Sequence, residues 1–216
     1  MGAIARSAAN NITTSGVFTS SAIANSSVTG ITVLANASDG ITFISSQTAS
    51  ASASLSFTSG LDSTYKAYKF VFSSIRPASD SLEFRFNGST DSGSNYNVTK
   101  TSTMFEAAHY EDDSLTNFRY RTDLDLAQST AFQPLAADVG NGADETASGS
   151  LLIFNPSSTT YVKHFISNFN TYVANNQSVQ TLCAGYFNTT SAVNAIRFQM
   201  ASGNITDGKI YLYGIK

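Results

Sequence analysis

The chain of 216 residues predicts an all-β protein: an antiparallel β-sandwich of jelly-roll kind preceded by an extended N-terminal arm. Three observations carry that prediction. Only 12% of the residues are charged and roughly a quarter are Ser or Thr, which suits strands and turns and lacks the Glu, Lys and Arg that coat solvated helices. Short runs of alternating apolar and polar residues recur at intervals of roughly 8 to 15 residues, separated by turn residues. No stretch sustains the 3.6-residue period of an amphipathic helix. The length fits one domain with extra segments.

Residues 1–38 hold a single charge, Arg6, and are rich in Ser, Thr, Ala and Asn. Their larger apolar residues, Ile12, Val17, Phe18, Ile23, Val28 and Val33, follow neither a helical nor a strand period. Such a segment is too poor in bulky side chains to build a core alone, so it reads as a low-charge arm that docks on a partner. Residues 39–216 read as the sandwich. Ile41–Ile44 and Leu55–Phe57 are short strand candidates, and Tyr65–Phe72 alternates clearly on Tyr68, Phe70 and Phe72. Leu82–Phe86 repeats the alternation after a turn at Arg76–Asp80, and a polar loop is expected from Asn87 to Gly93. Residues 94–146 hold most of the acids and predict long loops with a few short strands, Phe118–Arg121 the best of them. Strands resume at Gly149–Phe154, Thr160–Phe169, Val179–Phe187, Ala195–Met200 and Lys209–Ile215.

Several functions are disfavoured at this level. A net charge of -3 does not suit a nucleic-acid binder, which needs a basic face to displace counterions. No run reaches the roughly 18 apolar residues that span a bilayer, and MGAIARSAANN lacks the apolar centre of a signal peptide. The single cysteine, Cys183 in Leu182-Cys183-Ala184, makes no internal disulfide and reads as a buried, inert thiol. No nucleophile elbow, phosphate-binding loop or zinc motif is present. The expectation is a protein that is not an enzyme and has no cofactor.

The sharpest polar cluster is Glu106-Ala-Ala-His109-Tyr110-Glu111-Asp112-Asp113. It reads first as a solvated loop. The alternatives are a divalent-metal site built on His109, Glu111 and Asp113, or a carboxylate pair between Glu106 and Asp125 cleaving a glycan. Asp123 and Asp125 would share one face if Asp123-Leu124-Asp125 is a strand, and could then hold Ca²⁺. His164 is expected to alternate outward on its strand or to cap an edge of the core. Tyr96, Tyr110 and Tyr120, with Tyr172, lie beside loops or charges and are candidate contacts for a host-surface glycan.

Four segments resemble structural proteins of tailed bacteriophages of the marine and cyanophage type: FTSGLDSTYKAYKFVFSSIRPASD (residues 57–80), LLIFNPSSTTYVKHFIS (151–167), CAGYFNTTSAVNAIRFQMASGNI (183–205) and the ending KIYLYGIK. The Gly-Leu-Asp-Ser-Thr-Tyr opening and the Leu-Tyr-Gly-Ile ending are the most distinctive pair. The Ser/Thr/Ala-rich arm is similar to leaders on phage fibre and decoration proteins. The resemblance implies a virion structural protein at the particle surface, made in the host cytoplasm, that decorates the capsid or forms a tail fibre or appendage. Its partners would be other virion proteins and its own copies, a trimer being the usual closed form. A glycan-binding, receptor-reading module is the alternative, and a glycan depolymerase a more distant one.

Overall fold

A computed structural model describes residues 40–216. The arm and its apolar residues Ile12, Val17, Phe18, Ile23, Val28 and Val33 lie outside the described residues. The described chain holds twelve strands: β1 (Ile41–Thr48), β2 (Leu55–Phe57), β3 (Ala67–Pro77), β4 (Leu82–Ser89), β5 (Lys100–Tyr110), β6 (Thr116–Tyr120), β7 (Gln133–Val139), β8 (Ala147–Phe154), β9 (Lys163–Val173), β10 (Gln177–Phe187), β11 (Ala195–Met200) and β12 (Ile205–Ile215). They form an eight-stranded sheet in the order β1-β12-β3-β8-β9-β10-β5-β6 and a four-stranded sheet in the order β2-β11-β4-β7. All strand pairs are antiparallel. The chain passes repeatedly from one sheet to the other, as expected of a jelly-roll-like sandwich.

The core is built on phenylalanine. In β3, Tyr68, Phe70 and Phe72 point inward while Lys69 and Val71 point out, the alternation that a half-buried strand requires. From the smaller sheet, Phe198 of β11 is fully buried, with ring centroids 5.1 Å from Phe70, 5.0 Å from Phe72 and 6.0 Å from Phe84. The contacts with Phe70 and Phe72 join the two inner faces, since those residues belong to the large sheet and Phe198, with Phe84, to the small one.

Two strands depart from the sequence expectation. Residues 100–110 form the long β5 rather than a loop. Its inner positions are Lys100, Ser102, Met104 and Glu106, all buried, and its outer ones include Thr101, Thr103 and Phe105. The apolar signal is thus inverted, and each polar inner side chain is satisfied by a group from another strand or loop. Residues 133–139 form β7, whose run Pro134-Leu135-Ala136-Ala137 shows no alternation. It is the outer strand of the small sheet, where a proline is tolerated. Two further expectations shift. β3 continues to Pro77, through an irregularity between Phe72 and Ile75 where Ser74 has φ 53°. β4 continues to Ser89, because the buried Asn87 donates to the carbonyls of Tyr96 and Thr130, both at 2.9 Å.

The two most distinctive phrases of the sequence meet in space. Tyr65, at the end of Gly-Leu-Asp-Ser-Thr-Tyr, lays its ring on Gly214 of Leu-Tyr-Gly-Ile, where a Cβ would sit 2.3 Å from Tyr65 Cδ2. Lys66 N donates to Ile215 O at 3.1 Å beside this contact. Tyr65 also meets Tyr68 edge-on at 5.8 Å, and the Tyr68 hydroxyl donates to Asp62 Oδ1 at 2.9 Å. These residues therefore lock the entry of β3 to the end of β12.

Candidate functional site

The acidic middle of the sequence is brought together around Glu106. This carboxylate is buried on β5 and is held by Arg119 of β6 at 2.7 Å and by Arg121 just beyond it. Arg121 also binds Asp123 at 2.8 Å, and this hydrogen bond holds the Asp123 carboxyl down at about 2. The Arg121 guanidinium is in turn pushed up, chiefly by Asp123 and then by Glu106. Asp138 lies 3.9 Å from Arg121 and is raised by its partial burial. A cavity of about 350 Å³ opens here beside Glu106, Arg119, Asp138 and Gln177. With both oxygens of Glu106 engaged by arginines, the group ties β5 to the chain around β6.

Among the described residues the remaining acids do not gather around His109, which meets Asp113 alone. His109, at the exposed end of β5, has its Nε2 3.0 Å from Asp113 Oδ1, and Glu111 is exposed beyond it. Asp123 and Asp125 do not share a strand face. They lie in a turn, closed by Leu124 N and Asp125 N donating to Arg121 O, with Leu124 buried as its anchor. Asp123 faces Arg121, whereas Asp125 accepts from the Tyr120 hydroxyl at 2.6 Å. Among the described residues no three His, Cys, Asp or Glu side chains converge as a metal site.

The tyrosines divide. Tyr96 is buried, with the Arg197 guanidinium 4.0 Å over its ring, so it does not present a face to a glycan. Burial follows from the tight turn at Gly93 and from Asn87 binding its carbonyl. Tyr110 is half-buried at the end of β5 and its hydroxyl receives Asn175 Nδ2 at 3.2 Å. Tyr120 is exposed and meets Phe105 edge-on at 5.2 Å. Tyr172 donates to Asn176 Oδ1 at 3.1 Å. His164 points outward beside the ring of Tyr186.

Buried ionisable groups are a feature that the sequence did not reveal. Lys100 Nζ sits wholly inside, donating to Asn87 Oδ1 at 2.7 Å and Val98 O at 2.9 Å. Loss of hydration lowers it from 10.5 to about 7. Lys163 is likewise buried, donates to Thr189 O at 3.0 Å, and is lowered by burial. Cys183 is buried and its thiol is pushed up to about 12, the state of an unreactive thiol.

The outer face of the large sheet presents aligned rows of polar side chains. Antiparallel register aligns Val71 of β3, Ser150 of β8, Asn168 of β9, Leu182 of β10, Phe105 of β5 and Tyr120 of β6 in one cross-strand row. The next row runs Ser148, Asn170, Gln180, Ala107 and Phe118. Asn168, Asn170 and Gln180 occupy solvent-facing positions between buried Ser167, Phe169, Val179 and Thr181. Together with Ser148, Ser150 and Ser178 they line a depression of about 740 Å³. At its side Phe105 and Phe118 stack nearly parallel, centroids 6.1 Å apart. A period-two rhythm in Lys163–Val173 and Gln177–Gln180 marks these amides in the sequence, but their alignment requires the register.

No protein-family model matches the chain, and no curated protein matches it.

Proposed function

We propose that this chain is a non-enzymatic structural protein of a tailed-bacteriophage particle. Residues 1–38 dock on other virion proteins, and the sandwich projects as a capsid-decorating or tail-fibre subunit within a trimer. The observation that carries this reading is the Tyr65–Gly214 contact, in which the most distinctive phage-like phrases lock the two ends of the sandwich together. The resemblance thus rests on residues that build the fold rather than on a reactive site. The chemistry of the interior supports the same reading: the most buried carboxylate is neutralised by two arginines and the thiol is inert. Residues 40–216 form a compact unit with their own core, so the arm can be removed without removing the sandwich.

The test is deletion of residues 1–38 in a particle-assembly assay. The truncated protein is expected to fold and stay out of particles, while the full chain is incorporated. Normal incorporation of the truncated protein would refute arm docking. Localisation of the full chain in a particle reconstruction then separates hundreds of decorating copies from a few trimeric fibres, and its absence from particles overturns the virion reading.

A further inference from the structure

We infer that the outer face of the large sheet, between β3 and β5, is a binding site for a neutral, hydroxyl-rich polysaccharide. The site belongs to the sandwich alone, so it stands or falls separately from docking of the arm. The depression there, about 740 Å³, crosses β3, β8, β9, β10 and β5, a breadth of roughly 19 Å at ordinary strand spacing. Its volume falls in the range of ligand clefts.

The lining specifies the ligand class. It holds three carboxamides, Asn168, Asn170 and Gln180, and three hydroxyls, Ser148, Ser150 and Ser178, with no carboxylate. Lys69 and His109 are its only ionisable members. They lie in different cross-strand rows, Lys69 paired with Leu152 and His109 with Ser178, on either side of the amides. The amides are partly ordered by one another: Gln180 Nε2 donates to Asn168 Oδ1 at 3.0 Å, and Asn170 Nδ2 donates to Ser178 Oγ at 2.9 Å. Those bonds leave Gln180 Oε1, Asn170 Oδ1 and Asn168 Nδ2 without a hydrogen bond among the described residues. Free acceptors and donors thus stand side by side, and a sugar hydroxyl, at once donor and acceptor, can pair with both. The parallel Phe105 and Phe118 rings continue the same rows, and their negative π faces suit the C–H-bearing face of a pyranose.

Other occupants fit less well. An acidic glycan or a phosphate would call for an arginine fork, which this lining lacks. An added peptide strand needs a free sheet edge, whereas β8, β9 and β10 are paired on both sides. A second copy of the chain would have to desolvate the amides and serines that line the depression, because the exposed apolar residues Leu182, Phe105 and Phe118 lie at its side rather than at its centre.

The experiment is affinity electrophoresis of the full chain through gels containing dextran, mannan, galactan or xylan, with alginate as the anionic control. Retardation by at least one neutral polymer is expected, unchanged in 0.5 M salt. Replacement of two of the three amides, Asn168→Ala with Gln180→Ala, should weaken it at least tenfold at unchanged melting temperature. Phe118→Ala, at an exposed position, should weaken it independently. Retardation by none of the neutral polymers, retardation by alginate alone, or equal binding by the variants would overturn the proposal. So would an oligomer of the wild type that covers this face and dissociates when the amides are replaced.

Discussion

Replacing Lys100 by Met should flatten the dependence of stability on pH. In the folded protein the amine is buried with no carboxylate among its hydrogen-bond partners, and burial lowers its pKa from 10.5 to about 7. Above pH 10.5 the lysine is neutral in both states and this burial costs no protonation energy. As the pH falls towards 7 the unfolded chain takes up a proton that the folded chain refuses, so stability is lost across that window and levels off below it. At 1.36 kcal/mol per pH unit, and allowing for partial titration at both ends, the loss between pH 10 and pH 7 is roughly 3–4 kcal/mol. Met fills a similar volume without titrating. It sacrifices the hydrogen bonds to Asn87 and Val98, a cost that is the same at every pH. Urea denaturation of both proteins at pH 7, 8, 9 and 10 measures the effect as a difference of differences, in which Lys163 and Cys183 cancel. The wild type should gain that amount over the variant as the pH rises. Parallel curves for the two proteins would refute the assignment of Lys100 as a desolvated, proton-refusing amine.

Two further substitutions test the frame. Phe198→Ala removes the ring that touches Phe70 and Phe72 across the sandwich and Phe84 within the small sheet and should cost about 3–5 kcal/mol in denaturant unfolding; a loss below about 1 kcal/mol would mean the sheets do not pack on it. Gly214→Ala places a methyl in the Tyr65 ring and should cost about 1–3 kcal/mol through overpacking, whereas the same change beside Tyr65→Ala should cost much less. Equal penalties in the two backgrounds would dissociate Gly214 from Tyr65.

Much of the sandwich was readable from side-chain alternation, and the failures have a common cause. β3 and β4 carry their aromatic residues on one phase, Tyr68, Phe70 and Phe72 and then Phe84 and Phe86, so their inner faces were visible one strand at a time. β5 was hidden because its inner phase carries Lys100, Ser102 and Glu106, whose burial is paid by Asn87, Gln133 and the arginines of the β6 region. Those partners are distant in sequence, so a strand whose core face is polar reads as a loop until its neighbours are placed. Asp123 and Asp125 failed for the opposite reason: two acids with a leucine between them match a strand, but backbone bonds to Arg121 O close a turn. The candidate groove was legible only in part. Asn168 and Asn170 stand out on the polar phase of β9, and Ser178 and Gln180 on that of β10, yet adjacency depends on a hairpin register that composition does not encode.

The placement of charge gives the low charged fraction a physical sense. Lys100 and Lys163 are withdrawn into the interior, and Glu106 is neutralised by Arg119 and Arg121. What the large sheet leaves facing water between β3 and β5 is therefore a depression lined by amides and hydroxyls, with apolar residues such as Leu182, Ile166 and Phe105 beside it. Attraction between exposed charges is screened within about 10 Å at 0.1 M salt and within about 3 Å at 1 M. Hydrogen bonds between carboxamides and sugar hydroxyls carry no such dependence. A surface of this composition would hold a neutral polymer equally well in dilute and in concentrated salt, and salt independence of binding is accordingly the property that separates recognition by these amides from electrostatic adhesion through Lys69 or His109.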